Sequence, residues 1–256
     1  PGKTTNPHDY TRTPGGSSSG SAAVIAAHMA PLSIGTQTNG SVIRPASYCG
    51  VVGYKPSFGL ISRTGILKQS SKLDHVGVFG KTVEDVALFA KTLIKKDNLD
   101  EDTIHYAADE MLEVCKKGPI FEPKFIFYKT KSWKKIDKES QKSFEFFIKT
   151  FEKNIEVFDT PSYFDDIPKY HKIIHETDMA NNFQAYYKKS KKKLSKEMIS
   201  AIERGLKYSA KEYAESIDFM KRSYESYKEV FEDYHGVLSP ATTGVANKGL
   251  KSTGSP

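Results

Sequence analysis

The sequence predicts an α/β fold in which helices cover both faces of a mixed β-sheet. Short β-prone runs alternate with stretches whose apolar residues recur every three or four positions, an arrangement typical of layered α/β domains. The chain has 256 residues, of which 38% are hydrophobic, so it is large enough to bury a substantial core. No internal repeat interrupts this pattern.

The first third of the chain is rich in Gly, Ser, Thr, Pro and Val. Residues 21–30 are dominated by alanine and predict a buried helix, because small side chains allow close packing on a sheet. Residues 32–36 predict a strand, residues 37–41 a turn, and residues 50–54 a second strand. A regular helix is predicted from Thr82, where apolar residues fall at helical spacing.

The chain beyond residue 100 is rich in Lys and Glu and predicts mostly helices. Helices are predicted near residues 138–152, 170–189, 195–207 and 210–235, and strands at 125–128 and 155–158. The last residues, 239–256, have the composition of a loop. We therefore divide the chain, 1–256, into a core at 6–95 and a helical region at 100–235.

Composition and charge exclude several classes of protein. The formal net charge is +7 and lysine runs occur in the helical region, but solvated helix faces explain such runs as well as nucleic acid does. Arginine and aromatic residues do not interleave there, which makes nucleic-acid binding a poor explanation. No apolar run approaches 18 residues and no leader pattern precedes the core, so we expect no membrane span. With only two cysteines, we expect a cytoplasmic protein without disulfides.

A loop of Gly and Ser, residues 13–21, directly precedes the first predicted helix and presents several backbone N–H groups there. Three interpretations compete. A phosphate cradle would need a Lys followed by Ser or Thr at the helix start, which is missing. A nucleophile elbow centred on Ser18 fits Gly-x-Ser-x-Gly, but a polar segment replaces the required strand. A flexible Gly/Ser turn is the favoured interpretation when the loop is considered alone.

A second loop, Gly35-Thr-Gln-Thr-Asn-Gly-Ser41, follows an apolar run and tightens into a turn. Asn39 and Gly40 tolerate a positive φ, so successive N–H groups there can converge on one anion. A serine at the end of such a nest can attack a carbonyl whose developing oxyanion the nest accepts. The residues alone permit this catalytic interpretation without requiring it.

Three long motifs in fixed order carry a family resemblance: Pro14-Gly-Gly-Ser-Ser-Ser-Gly-Ser-Ala-Ala23, Pro31-Leu-Ser-Ile-Gly-Thr-Gln-Thr-Asn-Gly-Ser-Val-Ile-Arg-Pro-Ala46 and Cys49-Gly-Val-Val-Gly-Tyr-Lys-Pro-Ser-Phe-Gly59. The flanks Asn6-Pro-His and Leu73-Asp-His-Val-Gly77 fit as well. Together they resemble the amidase signature family, which includes hydrolases and the A subunit of tRNA-dependent amidotransferases. The clear resemblance covers the first third of the chain. It implies an α/β/α sandwich around a mixed sheet.

The resemblance implies a Ser–Ser–Lys triad, a variant of nucleophile-plus-base catalysis. Ser41 matches the nucleophile, and Ser17 matches the bridging serine that follows a cis peptide bond. Ser18 and Ser19 match supporting positions, where they bind either the triad or the loop backbone. The backbone N–H groups of Thr38, Asn39, Gly40 and Ser41 match the oxyanion hole. No metal and no cofactor are expected.

We expect structural roles for the other polar residues and for the cysteine of the core. Lys55 lies in a family motif but does not match the base, and Arg44 is expected to brace the loop. Cys49 lies among small and apolar residues, which is typical of a buried structural thiol. For Asp74 and His75 the resemblance implies a structural role in a loop.

The chain departs from the family pattern at both ends and within the second loop. The family's catalytic lysine lies well upstream of the first serine loop, so Lys3 does not match it and the base is expected outside this chain. Further sheet strands normally follow a segment like Ser239-Pro-Ala241. Gln37 and Asn39 replace the Asp and Gly of many members, and Gln at this position favours a plain amidase.

We therefore expect an amide hydrolase that acts through an acyl-enzyme on a small-molecule carboxamide and releases ammonia or an amine. One alternative is a non-catalytic fragment of the same fold. The other is an amidotransferase A subunit that acts on aminoacyl-tRNA with partner subunits. The sequence does not specify an oligomeric state or the particular amide.

Overall fold

The computed structural model describes residues 2–255 and confirms the predicted α/β class. The strands are β1 (Ser33–Gln37), β2 (Val52–Tyr54), β3 (His75–Gly80), β4 (Phe125–Lys129), β5 (Ile155–Asp159) and β6 (Gly236–Leu238). The helices are α1 (Ser19–Ala26), α2 (Ile43–Cys49), α3 (Val83–Leu93), α4 (Met111–Lys117), α5 (Lys138–Thr150), α6 (Ile167–Asn182), α7 (Gln184–Ser190), α8 (Lys196–Gly205), α9 (Ala210–Lys228) and α10 (Val230–Asp233). Short 3₁₀ turns occupy Lys131–Lys135, Ser162–Asp166 and Lys191–Lys193.

The strands form one antiparallel and one parallel set of three. In the antiparallel set β3 lies between β1 and β2, with Ser33 opposite Phe79 and Val52 opposite Gly80. In the parallel set β4 lies between β5 and β6. Both kinds of pairing are therefore present, but among the described residues they lie in two separate three-stranded sheets and not in one mixed sheet.

Strand β3 is the middle layer of the first half. Phe79 packs with α1 and α2, while its neighbour Val78 packs with α3, because successive side chains of a strand point to opposite faces. Both side chains are fully buried. Helices therefore cover both faces of this sheet, and the two serine loops lie at its α1–α2 side.

Helix α1 has the predicted alanine-rich core but different bounds, Ser19–Ala26 instead of 21–30. The helix ends early because His28 adopts a positive φ of 57°. The N–H groups of His28 and Met29 donate to the carbonyls of Ile25 and Val24, the paired bonds that close a helix at a left-handed residue. Sequence composition alone favoured continuation through residue 30.

The helical region is more broken than predicted. The predicted helix 170–189 is divided at Phe183 into α6 and α7, and the predicted helix 210–235 is divided at Glu229 into α9 and α10. Helix α6 packs against both α8 and α9. Among residues 2–255, no helix has the length and apolar character needed to cross a bilayer.

The segment before the first serine loop pairs with a segment near residue 250. Arg12 forms an isolated antiparallel bridge with Lys248. The Thr13 N–H donates to the Asn247 carbonyl at 3.0 Å, and the Gly249 N–H donates to the Thr11 carbonyl at 2.7 Å. The first serine loop is thus held partly by residues more than 230 positions away in sequence.

Candidate active site

The two serine loops are neighbours in space. The Ser18 N–H donates to the Ser41 carbonyl oxygen at 3.3 Å, and the peptide bond between Gly16 and Ser17 is cis. Ser17 is exposed and Ser41 is half-buried. Within residues 2–255 no hydrogen bond joins the two hydroxyls, so this structure brings the loops together without closing the predicted relay.

Arg44 holds the first loop from the start of α2. Its Nε and Nη2 atoms donate to the Gly16 carbonyl oxygen at 3.1 and 2.7 Å, and the side chain is buried. Burial lowers the pKa of this guanidinium from its ordinary value. Because α2 begins two residues after Ser41, one helix positions both loops. This geometry fits the bracing role predicted for Arg44.

Ser18 and Ser19 bind backbone atoms of their surroundings. The Ser18 hydroxyl donates to the Thr36 carbonyl at 3.2 Å and accepts from the Thr36 N–H at 3.3 Å. The Ser19 hydroxyl donates to the Gly15 carbonyl at 2.6 Å. Of the two alternatives left open by the sequence, the structure has both hydroxyls in contact with loop backbone.

The Gln37 side chain shapes the second loop. Its Oε1 atom accepts from the N–H groups of Val42 and Ile43 at 2.9 and 3.1 Å, so it caps the start of α2. Gly40 has a φ of 71°, and its carbonyl accepts from the Arg44 N–H at 2.9 Å. The loop is consequently drawn into a tight turn between β1 and α2.

The turn leaves a run of backbone donors without partners. Among the described residues, none of the N–H groups of Thr38, Asn39, Gly40 and Ser41 donates to a protein acceptor, whereas those of Val42 and Ile43 are used by Gln37. Unused donors beside a serine hydroxyl are what an oxyanion hole requires. The arrangement is chemically suited to stabilising a negatively charged oxygen next to Ser41.

Thr38 is held by residues that lie far away in the chain. Its hydroxyl donates to Asp74 Oδ1 at 2.5 Å, and Asp74 Oδ2 accepts from the N–H groups of Gln69 and Ser70. Its carbonyl oxygen lies 2.9 Å from His171 Nε2 on α6. Sequence reasoning gave Asp74 a loop role and missed His171, since no local pattern marks a histidine that contacts a loop 133 residues away.

The protonation of His171 follows from its partner. A carbonyl oxygen only accepts, so Nε2 carries the proton in this contact. Burial lowers the pKa of the His171 imidazole, which favours its neutral form near pH 7. His175, one turn further along α6, also has a pKa lowered by burial, and its Nε2 lies 3.1 Å from Gln69 Oε1.

Cys49 and Lys55 each donate a hydrogen bond to a backbone carbonyl. Cys49 is fully buried, its thiol donates to the Pro14 carbonyl at 3.4 Å, and burial raises its pKa to about 11. Lys55 donates to the Pro56 carbonyl at 2.8 Å, and burial lowers its pKa. In the described part of the chain, no three His, Cys, Asp or Glu side chains are grouped to hold a metal ion.

A cavity of about 460 Å³ opens near the carboxyl ends of β4, β5 and β6. Tyr128, Tyr227 and Phe164 contribute aromatic walls, and Ile167 and Pro168 at the start of α6 also line it. No residue of either serine loop lines this cavity. Helix α6 therefore begins at the cavity and contacts the second serine loop one turn later.

Comparison with known sequences gives a family match along nearly the whole chain. The sequence model of the family described as Amidase matches residues 1–253. The A subunit of glutamyl-tRNA(Gln) amidotransferase from Alkaliphilus metalliredigens (strain QYMF) is 31% identical over 287 residues, which cover 99% of this chain and 57% of that protein.

Solved structures give the same result for the fold. A structure described as a vestigial protein complex, connected with the origins of an s-triazine catabolic enzyme, has a TM-score of 0.88 at 27% identity and covers 96% of this chain and 53% of its own. The A subunit of glutamyl-tRNA(Gln) amidotransferase from Thermotoga maritima has a TM-score of 0.80 at 28% identity, with coverage of 96% and 54%. The chain thus spans about half the length of the proteins it matches.

Proposed function

The chain belongs to the amidase family, and from this premise we propose that it carries the serine nucleophile of an enzyme that cleaves carboxamides. Membership supports hydrolase or amidotransferase activity in general. The proposal goes further and assigns the chemistry to individual residues of the two serine loops. Ser41 is the nucleophile, and Ser17 is the bridging serine of a Ser–cisSer–Lys relay.

The proposed reaction has two halves. The Ser41 hydroxyl oxygen bonds to the amide carbonyl carbon, and its proton passes through Ser17 to a neutral lysine. The N–H groups of residues 38–41 donate to the developing oxyanion. When the C–N bond breaks, the same relay returns the proton to the departing ammonia or amine. Water then attacks the acyl-enzyme and releases the carboxylic acid and the free Ser41 hydroxyl.

The relay requires a base that the serine loops do not supply. Among residues 2–255, no lysine amine hydrogen-bonds the Ser17 hydroxyl. As the family pattern implies, we assign the lysine to sequence outside this chain, which spans about half the length of its relatives.

A single observation supports the proposal most strongly. The two serine loops are joined by the Ser18-to-Ser41 backbone hydrogen bond, next to four N–H groups that have no partner among the described residues. Residues 38, 40 and 41 are half-buried and Asn39 is exposed, so this stretch is not sealed inside the core. Donors left free beside a serine suit an oxyanion.

A second candidate function is that of one component of an amidotransferase. The Alkaliphilus relative aligned over nearly the whole chain is named as the A subunit of glutamyl-tRNA(Gln) amidotransferase. In this alternative the same Ser41 chemistry releases ammonia from an amide donor, and a partner protein transfers it to an aminoacyl-tRNA. Ammonia release that rises when purified partner proteins and acceptor tRNA are added would favour the amidotransferase.

The test uses the complete gene product and a chromogenic anilide together with an ammonia assay on simple carboxamides. S41A should abolish turnover, and S17A should reduce it about 10²–10⁴-fold, because proton transfer is lost while the nucleophile remains. A fluorophosphonate should label Ser41 in the unmodified protein. S47A is the matched control, because Ser47 is an exposed serine on α2 and should leave turnover unchanged.

The proposal fails if S41A retains turnover. It also fails if the complete protein shows no turnover on these amides and no labelling at Ser41. The latter result would favour a non-catalytic member of the fold.

A further inference from the structure

Helix α6 contacts two loops, namely the second serine loop, which contains Thr38, and the loop that contains Gln69 and Ser70. His171, His175, Asp178 and Asn182 follow helical spacing and lie along one face. His175 contacts Gln69 Oε1, Asn182 Nδ2 donates to the Gln69 carbonyl at 3.2 Å, and Asp178 accepts from the Ser70 hydroxyl. Of these four, His171 is the residue that contacts the serine-loop backbone directly.

The contact has a consequence for the neighbouring N–H group. The Thr38 carbonyl and the Asn39 N–H belong to one planar peptide unit, in which they point in opposite directions when the bond is trans. A donor that fixes the carbonyl therefore also fixes the direction of the N–H. His171 holds this carbonyl at 2.9 Å, on the side opposite to the Asn39 donor.

We propose that His171 is a positioning residue that orients the Asn39 N–H toward the oxyanion formed at Ser41, an inference that rests on the proposed function. Hydrogen bonding at the carbonyl also polarises the peptide, so the Asn39 N–H becomes a stronger donor. The helical region thereby acts on the reaction through a backbone group, without touching the substrate.

Two later peptide units of the second serine loop have other partners. The Gly40 carbonyl accepts from the Arg44 N–H within the same turn, and the Ser41 carbonyl accepts from the Ser18 N–H. The Thr38 carbonyl differs because its partner lies on α6. The Thr38 hydroxyl bond to Asp74 fixes the side chain but leaves the orientation of the following peptide to His171.

The decisive variants are H171F and H171Q in the complete gene product. Phenylalanine keeps a ring of similar size but has no donor, whereas glutamine carries an N–H donor at a similar distance along its side chain. H175F is the matched control, since His175 is equally half-buried on the same helix but contacts the Gln69 side chain. Equal thermal unfolding midpoints would show that the variants fold.

We expect H171F to lower kcat about tenfold with KM nearly unchanged, which is less than the roughly 10²–10³-fold lost when an oxyanion donor itself is removed. H171Q should restore most of kcat, and H175F should retain it. Phenylboronic acid forms a tetrahedral adduct with a nucleophilic serine, so its Kd should rise in H171F in parallel with the loss in kcat/KM and recover in H171Q.

Several outcomes would overturn the inference. These are an H171F enzyme with unchanged kcat, a loss that H171Q does not rescue, or a loss in kcat with an unchanged boronate Kd. If the unmodified protein is inactive and unlabelled, the proposed function fails separately. A crystal structure of H171F then decides the structural part, because a Thr38–Asn39 peptide that keeps its orientation would contradict positioning by His171.

Discussion

The Ser18 N–H donates to the Ser41 carbonyl oxygen at 3.3 Å and thereby connects two loops that are separated by α1 and β1. Neither the Ser17 hydroxyl nor the Ser41 hydroxyl takes part in this bond. A backbone hydrogen bond therefore fixes the distance between the two loops without any contact from a substrate or a base. Substitutions that disturb loop backbone should affect the site even where no catalytic side chain changes.

Replacing Arg44 tests the brace behind the first loop. R44K keeps the charge but loses the planar fork that gives the Gly16 carbonyl two donors, and it leaves an ammonium in a buried position. We expect the free energy of unfolding to fall by about 1–3 kcal/mol. Urea unfolding followed by circular dichroism measures this change. R222K is the control, because Arg222 is exposed, and an equal effect in both variants would refute the brace.

Gly35 tests the contact between β1 and the first loop. A Cβ at this position would lie 2.5 Å from Ser18 Oγ and 2.7 Å from a ring carbon of buried Phe79. G35A should therefore destabilise the fold by about 1–3 kcal/mol, the usual cost of overpacking, and lower turnover by displacing Ser18.

G20A is the matched control for G35A. Gly20 lies in α1 with open space where its Cβ would be, so alanine should stabilise the protein by about 0.5–1 kcal/mol. Differential scanning calorimetry gives both changes. If the G35A protein is as stable as the unmodified one, the prediction is wrong, because Ser18 and Phe79 can then move aside without a loss of stability.

Cys49 should resist thiol reagents in the folded protein. Burial raises its pKa from 9.0 to about 11, which reduces the thiolate at pH 8 about a hundredfold, and the side chain has no exposed surface. Iodoacetamide labelling followed by peptide mass spectrometry should modify Cys49 only after urea is added. Rapid labelling of Cys49 without urea would mean that the α1–α2 packing opens.

The free energy of unfolding should decrease as the pH falls from 7 to 5. Burial is the main cause that lowers the pKa values of His75, His171 and His175 in the folded protein. Below the ordinary histidine value of about 6.5, the unfolded chain binds more protons than the folded one, so unfolding is favoured as pH falls toward the lowered values. The Asp97 carboxyl, with a pKa lowered to about 2, responds only at much lower pH.

The histidine prediction is checked by urea unfolding at half-unit pH steps. Positive Lys55 and Arg63 act on His75, whereas negative Asp74, Glu176 and Asp178 partly offset the desolvation of His175. H175Q removes one of the three half-buried histidines, so it should reduce the pH dependence of the unfolding free energy without abolishing it. An unfolding free energy that is flat or rising from pH 7 to 5 would contradict the assignment.

The serine loops were accessible to sequence reasoning because their chemistry is local. Gly, Asn and Ser in short loops between apolar runs indicate turns, and the Gly40 φ of 71° agrees with such a turn. The early end of α1 was not accessible, because His28 takes a left-handed conformation that composition does not mark. Strand β3 was also missed, since its two glycines obscure a strand that is stabilised by partners on both sides.

Contacts between the helical region and the serine loops escaped prediction. The helix that carries His171 was expected, but its spacing does not say which loop the helix meets. The division of the predicted helix at Phe183 has a similar origin, because Phe183 is buried in a cluster with Met179 and Ile202 that forms only when α6 meets α8. Tertiary packing determined both features.

The bridge between Arg12 and Lys248 has a consequence for synthesis of the protein. When residues 1–95 have emerged from the ribosome, both serine loops have already been synthesised. The segment that pairs with residues 11–13 lies about 150 residues further along the chain and has not yet been translated. Contacts of such long sequence separation form late, because the chain must close a large loop first. The nascent chain therefore passes through a period in which its serine loops exist without their final support.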